Sequence, residues 1–153
     1  MEFKGICIAV EDIEKARKFY EEVFGLKVIS DYGINITFNA GFSLQQEFDW
    51  LLDIPKERIK SLENNFELYF EEDDFDSFIK NLEKRNDIKL LHATKEAPWG
   101  QRSIRFYDLD DHLIEVGENL KSVVKRYQNQ GNSLEEVSKL MDITLDEVNA
   151  ILK

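Results

Sequence analysis

Gly5-Ile6-Cys7-Ile8-Ala9-Val10-Glu11-Asp12-Ile13-Glu14 and Glu67-Leu68-Tyr69-Phe70-Glu71-Glu72-Asp73-Asp74-Phe75-Asp76 share one pattern at a constant offset of 62 positions. Each opens with alternating apolar positions, the period of a half-buried strand, and then sets an Asp ahead of apolar residues at helical spacing. Asp12 and Asp74 are therefore expected as N-caps, their carboxylates accepting from the free N–H groups of the first helical turn. Leu26-Lys27-Val28-Ile29 recurs as Ile88-Lys89-Leu90-Leu91 at the same offset, so the repeat continues past the helix.

Ile13, Ala16, Phe19, Tyr20 and Val23 form one apolar stripe in the first helix, and Phe75, Phe78, Ile79 and Leu82 form another in the second. Both helices should lie on one face of a sheet. Three further runs with strand alternation follow each helix, at residues 27–31, 34–38 and 42–48, then at 88–93, 103–107 and 112–116. The unit is βαβββ, and the fold class is α+β. The expected layout is a first module over residues 1–50, a linker over 51–64, a second module over 65–118 and a C-terminal helical extension over 119–153.

In that extension Leu120, Val123, Val124 and Tyr127 make a stripe that stops at Gly131-Asn132. Ser133-Leu134-Glu135-Glu136 and Thr144-Leu145-Asp146-Glu147 read as capping boxes opening two short helices. The pair resembles part of a helix-turn-helix. A DNA reader needs basic residues on its recognition helix, whereas this one offers Asp146 and Glu147. The extension is instead expected to pack on the sheets or on a partner subunit.

Thirty-one acidic against twenty basic side chains in 153 residues give a formal charge of −11. That balance repels nucleic acid and anionic lipid, and favours a cationic ligand. No apolar run approaches the length of a membrane span and the N-terminus lacks a signal-peptide layout, so a cytoplasmic location is expected. The single cysteine, Cys7, forbids an internal disulfide and is expected to be a small packing residue.

A strand ending in Val10-x-Asp12, a helix carrying Phe19-Tyr20 and ending near Phe24-Gly25, and a late Ile114-Glu115 strand occur in that order. With Pro98-Trp99-Gly100-Gln101-Arg102 and Phe106-Tyr107-Asp108-x-Asp110, they resemble the glyoxalase, bleomycin-resistance and extradiol-dioxygenase superfamily, the vicinal oxygen chelate fold, over about residues 3–118. The resemblance implies that each module curves into half of an incomplete barrel whose concave interior holds a ligand or metal, and that the chain is a homodimer. Asp108-Leu109-Asp110-Asp111 departs from the Asp-Pro-Asp-Gly turn of that family, which leaves Asp111 to adopt a positive φ in place of Gly.

Strand parity assigns the concave face. With Ile8, Val10, Leu44, Leu68, Phe70, Ile104, Phe106, Ile114 and Val116 in the core, and Ile6 and Phe66 placed with them, the inward set includes Cys7, Ala9, Gln45 and Glu47 from the first module. From the second it includes Glu67, Tyr69, Glu71, Arg105, Tyr107 and Glu115. Trp50 and Trp99 would add aromatic walls. The expected pocket is polar and acidic, with Gln45, Glu47, Tyr69, Trp99, Arg105 and Tyr107 as ligand-binding candidates and Glu67 and Glu115 as proton-transfer candidates.

By the resemblance, metal ligands occupy four places that here hold Gly5, Gln45, Glu67 and Glu115. Gly5 has no side chain to offer, and the usual first-strand histidine is absent. His92 and His112 are read as surface or packing residues. Gln45, Glu67 and Glu115 together would suit one hard divalent cation through oxygen. Alternatively Arg105 neutralises Glu67 or Glu115 in an ionic network, since an unpaired buried carboxylate takes up a proton. Two functional readings follow: a binding protein without a His-ligated metal, which the missing histidines favour, and a metal-dependent lyase or isomerase of the glyoxalase type.

Overall fold

The structure, a computed structural model, describes residues 1–153. It contains two four-stranded sheets and belongs to the α+β class. Two compact units emerge, one of residues 1–66 with 107–113 and the other of residues 67–106 with 114–153.

In the first unit β1 (Ile6–Val10) leads into α1 (Ile13–Phe24), and β2 (Val28–Asp31), β3 (Asn35–Phe38) and β4 (Phe42–Gln46) follow. The sheet order is β1-β4-β3-β2, with β1 parallel to β4 and the remaining pairs antiparallel. Ile8, Val10, Ile36, Phe38 and Leu44 are buried from the sheet, and Ile13, Ala16, Phe19 and Tyr20 from the helix. Each full-sized apolar side chain removed from water contributes about 1.5–3 kcal/mol. Asp12 caps α1 by accepting from Lys15 N, and Gln46 Oε1 accepts from Ile13 N at 2.9 Å, so the end of β4 satisfies a second free donor. Beyond β4, a short helix α2 (Phe48–Leu52) and a 3-10 turn at Lys56–Arg58 fill the connecting segment.

The plan repeats in the second copy, which lies in the second unit except for residues 107–113, with β5 (Leu68–Glu72), α3 (Phe75–Leu82), β6 (Lys89–Glu96), β7 (Arg102–Tyr107) and β8 (Leu113–Glu118) in the order β5-β8-β7-β6. Its first strand starts at 68 against 6 and its helix at 75 against 13, so the 62-residue offset holds at both element starts. Asp74 accepts from Ser77 N as the N-cap. The β5/β8 pair is parallel, with Tyr69 opposite Glu115 and Glu71 opposite Gly117.

Strand ends depart from the sequence pattern. β4 stops at Gln46, because Glu47 takes φ 55° and opens α2, so Glu47 is an exposed corner residue and not a strand-face residue. Ile6 and Phe66, placed with the core by parity, are 47% and 45% exposed, since each sits where its strand begins or has not yet begun. Asp111 takes φ 64°, the conformation required of it in the altered turn.

α4 (Leu120–Asn129), α5 (Leu134–Leu140) and α6 (Leu145–Leu152) bury their stripes against one another around Val123, Val124, Val137, Met141 and Val148. Both capping boxes form. α4 is tied to the second sheet where Asn119 N donates to Glu72 O and where Arg126 bonds Glu118 and the Gly100 carbonyl. No helix is long and apolar enough to cross a membrane.

Candidate functional site

The second unit gathers charged side chains on one face of its sheet. Arg105 on β7 and Glu115 on β8 point to the same side, and Glu67 stands one residue ahead of β5. Arg105 Nε donates to Glu67 Oε2 at 2.8 Å, and its Nη2 donates to Glu115 Oε2. One guanidinium thus bridges two carboxylates, the planar fork matching both acceptors. Hydrogen bonding to Arg105 holds the Glu67 carboxyl below the usual range. Burial, followed by the neighbouring Glu67 carboxylate, pushes Glu115 up, with Ser103 and Arg105 opposing the rise. The two acids are therefore unlike: Glu67 is the fixed anion, and Glu115 is the one closer to taking up a proton.

Next to this triad, Tyr69 OH donates to Glu71 Oε1 at 3.0 Å and accepts from Gln101 Nε2 at 2.9 Å, while Trp99 Nε1 donates to Gln101 Oε1 at 3.0 Å. Gln101 is buried and also donates to the Glu118 carbonyl, so it fixes Tyr69 and Trp99 together. Burial above all pushes the Tyr69 phenol up to about 12. Gly117 makes this possible: a Cβ there would stand 3.2 Å from Tyr69 Cε2 and Oη and 2.9 Å from Gln101 Nε2. Tyr69 and Trp99 are 49% and 44% exposed, so their rings stay available. Sequence parity missed Gln101 because it lies before β7, although it stands in the quoted Pro98–Arg102 segment.

A second network lies behind the face. Glu118 accepts from Arg102 at 3.0 Å and from Arg126 at 3.1 Å, and Arg102 also reaches Asp76 at 2.7 Å. Burial works against the Glu118 charge, but the two guanidinium groups outweigh it and hold the carboxyl down. These contacts fasten α3 and α4 to the sheet.

The remaining candidates belong to the first unit. Gln45 is buried and committed there, accepting from Asn35 Nδ2 at 2.9 Å and donating to the Gln46 carbonyl at 2.6 Å. Tyr107 is buried and donates to Asn64 Oδ1 at 3.0 Å. Glu47 lines a cavity of about 620 Å³ instead of a strand face. Trp50 is an exposed residue of α2, and Cys7 is exposed, which corrects its reading as a packing residue. His92, by contrast, belongs to the second unit, on β6 with Nδ1 near the Ala93 carbonyl.

A resident divalent ion does not fit the donors present. No group of three or more His, Cys, Asp or Glu side chains converges anywhere in the chain. Glu67 and Glu115 already share a cation, Arg105, and the Gln45 amide is satisfied elsewhere. At Gly5 the backbone has φ 144°, and a Cβ would come within 2.3 Å of the Gly41 carbonyl oxygen, so this backbone has no room for a ligand side chain.

Residues 3–121 match the glyoxalase-like domain family. A metallothiol transferase FosB from Staphylococcus haemolyticus is 26% identical over 114 residues, covering 72% of this chain and 78% of that protein. A protein of unknown function from Agrobacterium tumefaciens is 33% identical with a TM-score of 0.66, over 77% of this chain and 94% of that one. A glyoxalase/bleomycin resistance protein/dioxygenase family enzyme from Burkholderia phytofirmans has a TM-score of 0.67 at 18% identity, over 77% and 98%.

Proposed function

Because the chain belongs to the glyoxalase-like domain family, we propose that it binds a small organic molecule on the second-sheet face built from Glu67, Tyr69, Arg105 and Glu115, and that it does so without a resident metal. The observation that carries this reading is the Arg105 guanidinium lying between the two carboxylates. In the metal-dependent branches those positions hold ligands, and here a fixed organic cation supplies the positive charge instead. The face retains a surplus of negative charge, with Glu67, Glu71 and Glu115 against Arg105. Beside it stand the exposed rings of Tyr69 and Trp99. Anionic carboxylates next to aromatic faces suit a flat cationic ligand, which gains electrostatic attraction and ring contact together. A homodimer in a reducing cytoplasm is the setting this reading adopts.

Titration calorimetry with benzyltrimethylammonium in chelator-containing buffer tests the proposal. Saturable binding is expected, weakened at least tenfold in Glu67→Gln and in Tyr69→Ala. Equal binding by both variants, or no binding of this or related aromatic cations, refutes it.

A second reading is a metal-dependent lyase or isomerase of the glyoxalase type, favoured by the name metallothiol transferase carried by a 26% identical relative. In that case Arg105 has to release at least one carboxylate. Glu115, the acid pushed toward protonation, is then the group suited to move a proton.

A further inference from the structure

The first unit carries cavities of its own, lined by none of the residues that build the second-sheet face. A cavity of about 620 Å³ opens at the ends of β1 and β4, and a smaller one of about 290 Å³ adjoins it. His112, Asp111, Lys60 and Ser61 line both, which puts His112 at their junction. Cavities of several hundred Å³ with a few convergent polar groups are the size and kind that take small molecules.

His112 is held as a functional imidazole is held. Its Nδ1 lies 2.9 Å from Asp108 Oδ2, and its backbone N donates to Asp108 Oδ1 at 2.8 Å. The Asp108 side chain is 1% exposed and is itself fixed by the Tyr20 hydroxyl at 2.7 Å. With Nδ1–H given to the carboxylate, the lone pair of neutral His112 sits on Nε2, the nitrogen left for the cavity. The His112 side chain is 13% exposed, and the Phe66 ring, 6.1 Å away between centroids, flanks it.

The walls state what such a nitrogen would meet. Val10, Phe48, Ile59 and Leu109 supply apolar surface, while Glu47, Asp49, Asp110 and Asp111 outnumber Lys60 among the charged groups. Glu11 and Lys56 also line the cavity but pair with each other at 3.0 Å. Four of the non-glycine residues with positive φ, Glu47, Leu62, Asn64 and Asp111, line one or other cavity. Such backbone costs of order 1 kcal/mol per residue or more, and it clusters where structure serves binding.

We propose that this cavity is a second ligand site, taking an alkylammonium compound whose charged nitrogen meets His112 Nε2 and the acidic wall and whose chain lies on Phe48, Ile59 and Leu109. The site is chemically distinct from the guanidinium-bridged face: it has an imidazole acceptor and aliphatic walls where the other has Tyr69, Trp99 and no histidine.

NMR of the full chain with hexylammonium chloride as probe, at a pH above the His112 titration so that the ring is neutral, tests this, following the His112 ring signal and the amides of Glu47 and Asp49. A saturable shift of these signals is expected, with affinity reduced at least fivefold in His112→Gln. Asp49→Asn, a half-buried position in the first turn of α2, should weaken binding about threefold while leaving the amide spectrum of β1–β4 unchanged. A linear drift reproduced by sodium chloride at matched ionic strength overturns the proposal. So does a response confined to Tyr69, Trp99 and Gln101, or binding that both variants retain in full.

Discussion

The two copies of the βαβββ unit agree on the strand face that packs under the helix and disagree on the opposite one. Gly5, Cys7 and Ala9 on the first copy's leading strand correspond, 62 residues on, to Glu67, Tyr69 and Glu71 on the second. Ile13 and Phe75 both open a helix behind an Asp cap. One sheet face therefore became small and neutral while its twin gathered two carboxylates, a bridging guanidinium and a fixed phenol. The polar chemistry of the first compact unit lies at the strand ends instead, where Tyr20 of the first copy meets Asp108 and His112 from the β7–β8 turn of the second. Helix packing constrains one parity of each strand tightly and leaves the other free to change.

The largest test forces the first copy toward the second. Gly5→Glu puts a Cβ against the Gly41 carbonyl in a left-handed backbone, and should cost about 3 kcal/mol or more, read as the shift in urea midpoint at unchanged slope. A loss below about 1 kcal/mol would show that the first copy could have carried a side chain there.

Removing the second copy's cation should cost less. Arg105→Met leaves Glu67 and Glu115 facing each other without a counter-charge, at about 2 kcal/mol near neutral pH given their partial exposure. The sign follows from their protonation. Wild-type Glu67, held below its ordinary value, contributes stability at neutral pH that is lost on acidification through its folded pKa. In the variant both carboxyls are pushed up, so its folded state gains protons and recovers as pH falls. The gap between wild type and Arg105→Met should therefore narrow from pH 7 to pH 4 in parallel denaturation curves.

Tyr20 and its counterpart 62 residues later, Leu82, offer a subtler contrast, both buried on the helix but only one with a hydroxyl. Tyr20→Phe removes one of the donors to Asp108 and should cost about 1 kcal/mol, because His112 and two backbone N–H groups still serve that carboxylate.

The smallest effect belongs to His112. Burial lowers its pKa, but the Asp108 hydrogen bond and the Asp108, Asp110 and Asp111 charges outweigh burial and raise it above 6.5. The extra stability is full below that ordinary value and fades as pH rises through the raised folded value. His112→Gln should flatten the stability profile of the wild type between pH 6 and 8, by less than about 1 kcal/mol.

Most of the fold was legible in the residues. The repeat, the Asp caps, the helix stripes and the positive φ of Asp111 all follow from local rules that tertiary contacts reinforce. The grouping of Arg105 with Glu67 and Glu115 was legible from parity alone. Glu47 was misread because a strand pattern carried on by Phe48 masked the corner at which β4 ends. Cys7 was placed inside because parity gives a face and says nothing of what covers it. Gln101 and the His112 cavity could not be read at all, since one depends on a loop folding back over Gly117 and the other on a connecting segment without periodicity.

Elemental analysis of protein purified without chelators tests the central claim most directly. Arg105 as the sole cation between Glu67 and Glu115 predicts far less than one divalent ion per chain. A content near one ion per chain that disappears in Glu115→Gln would contradict it.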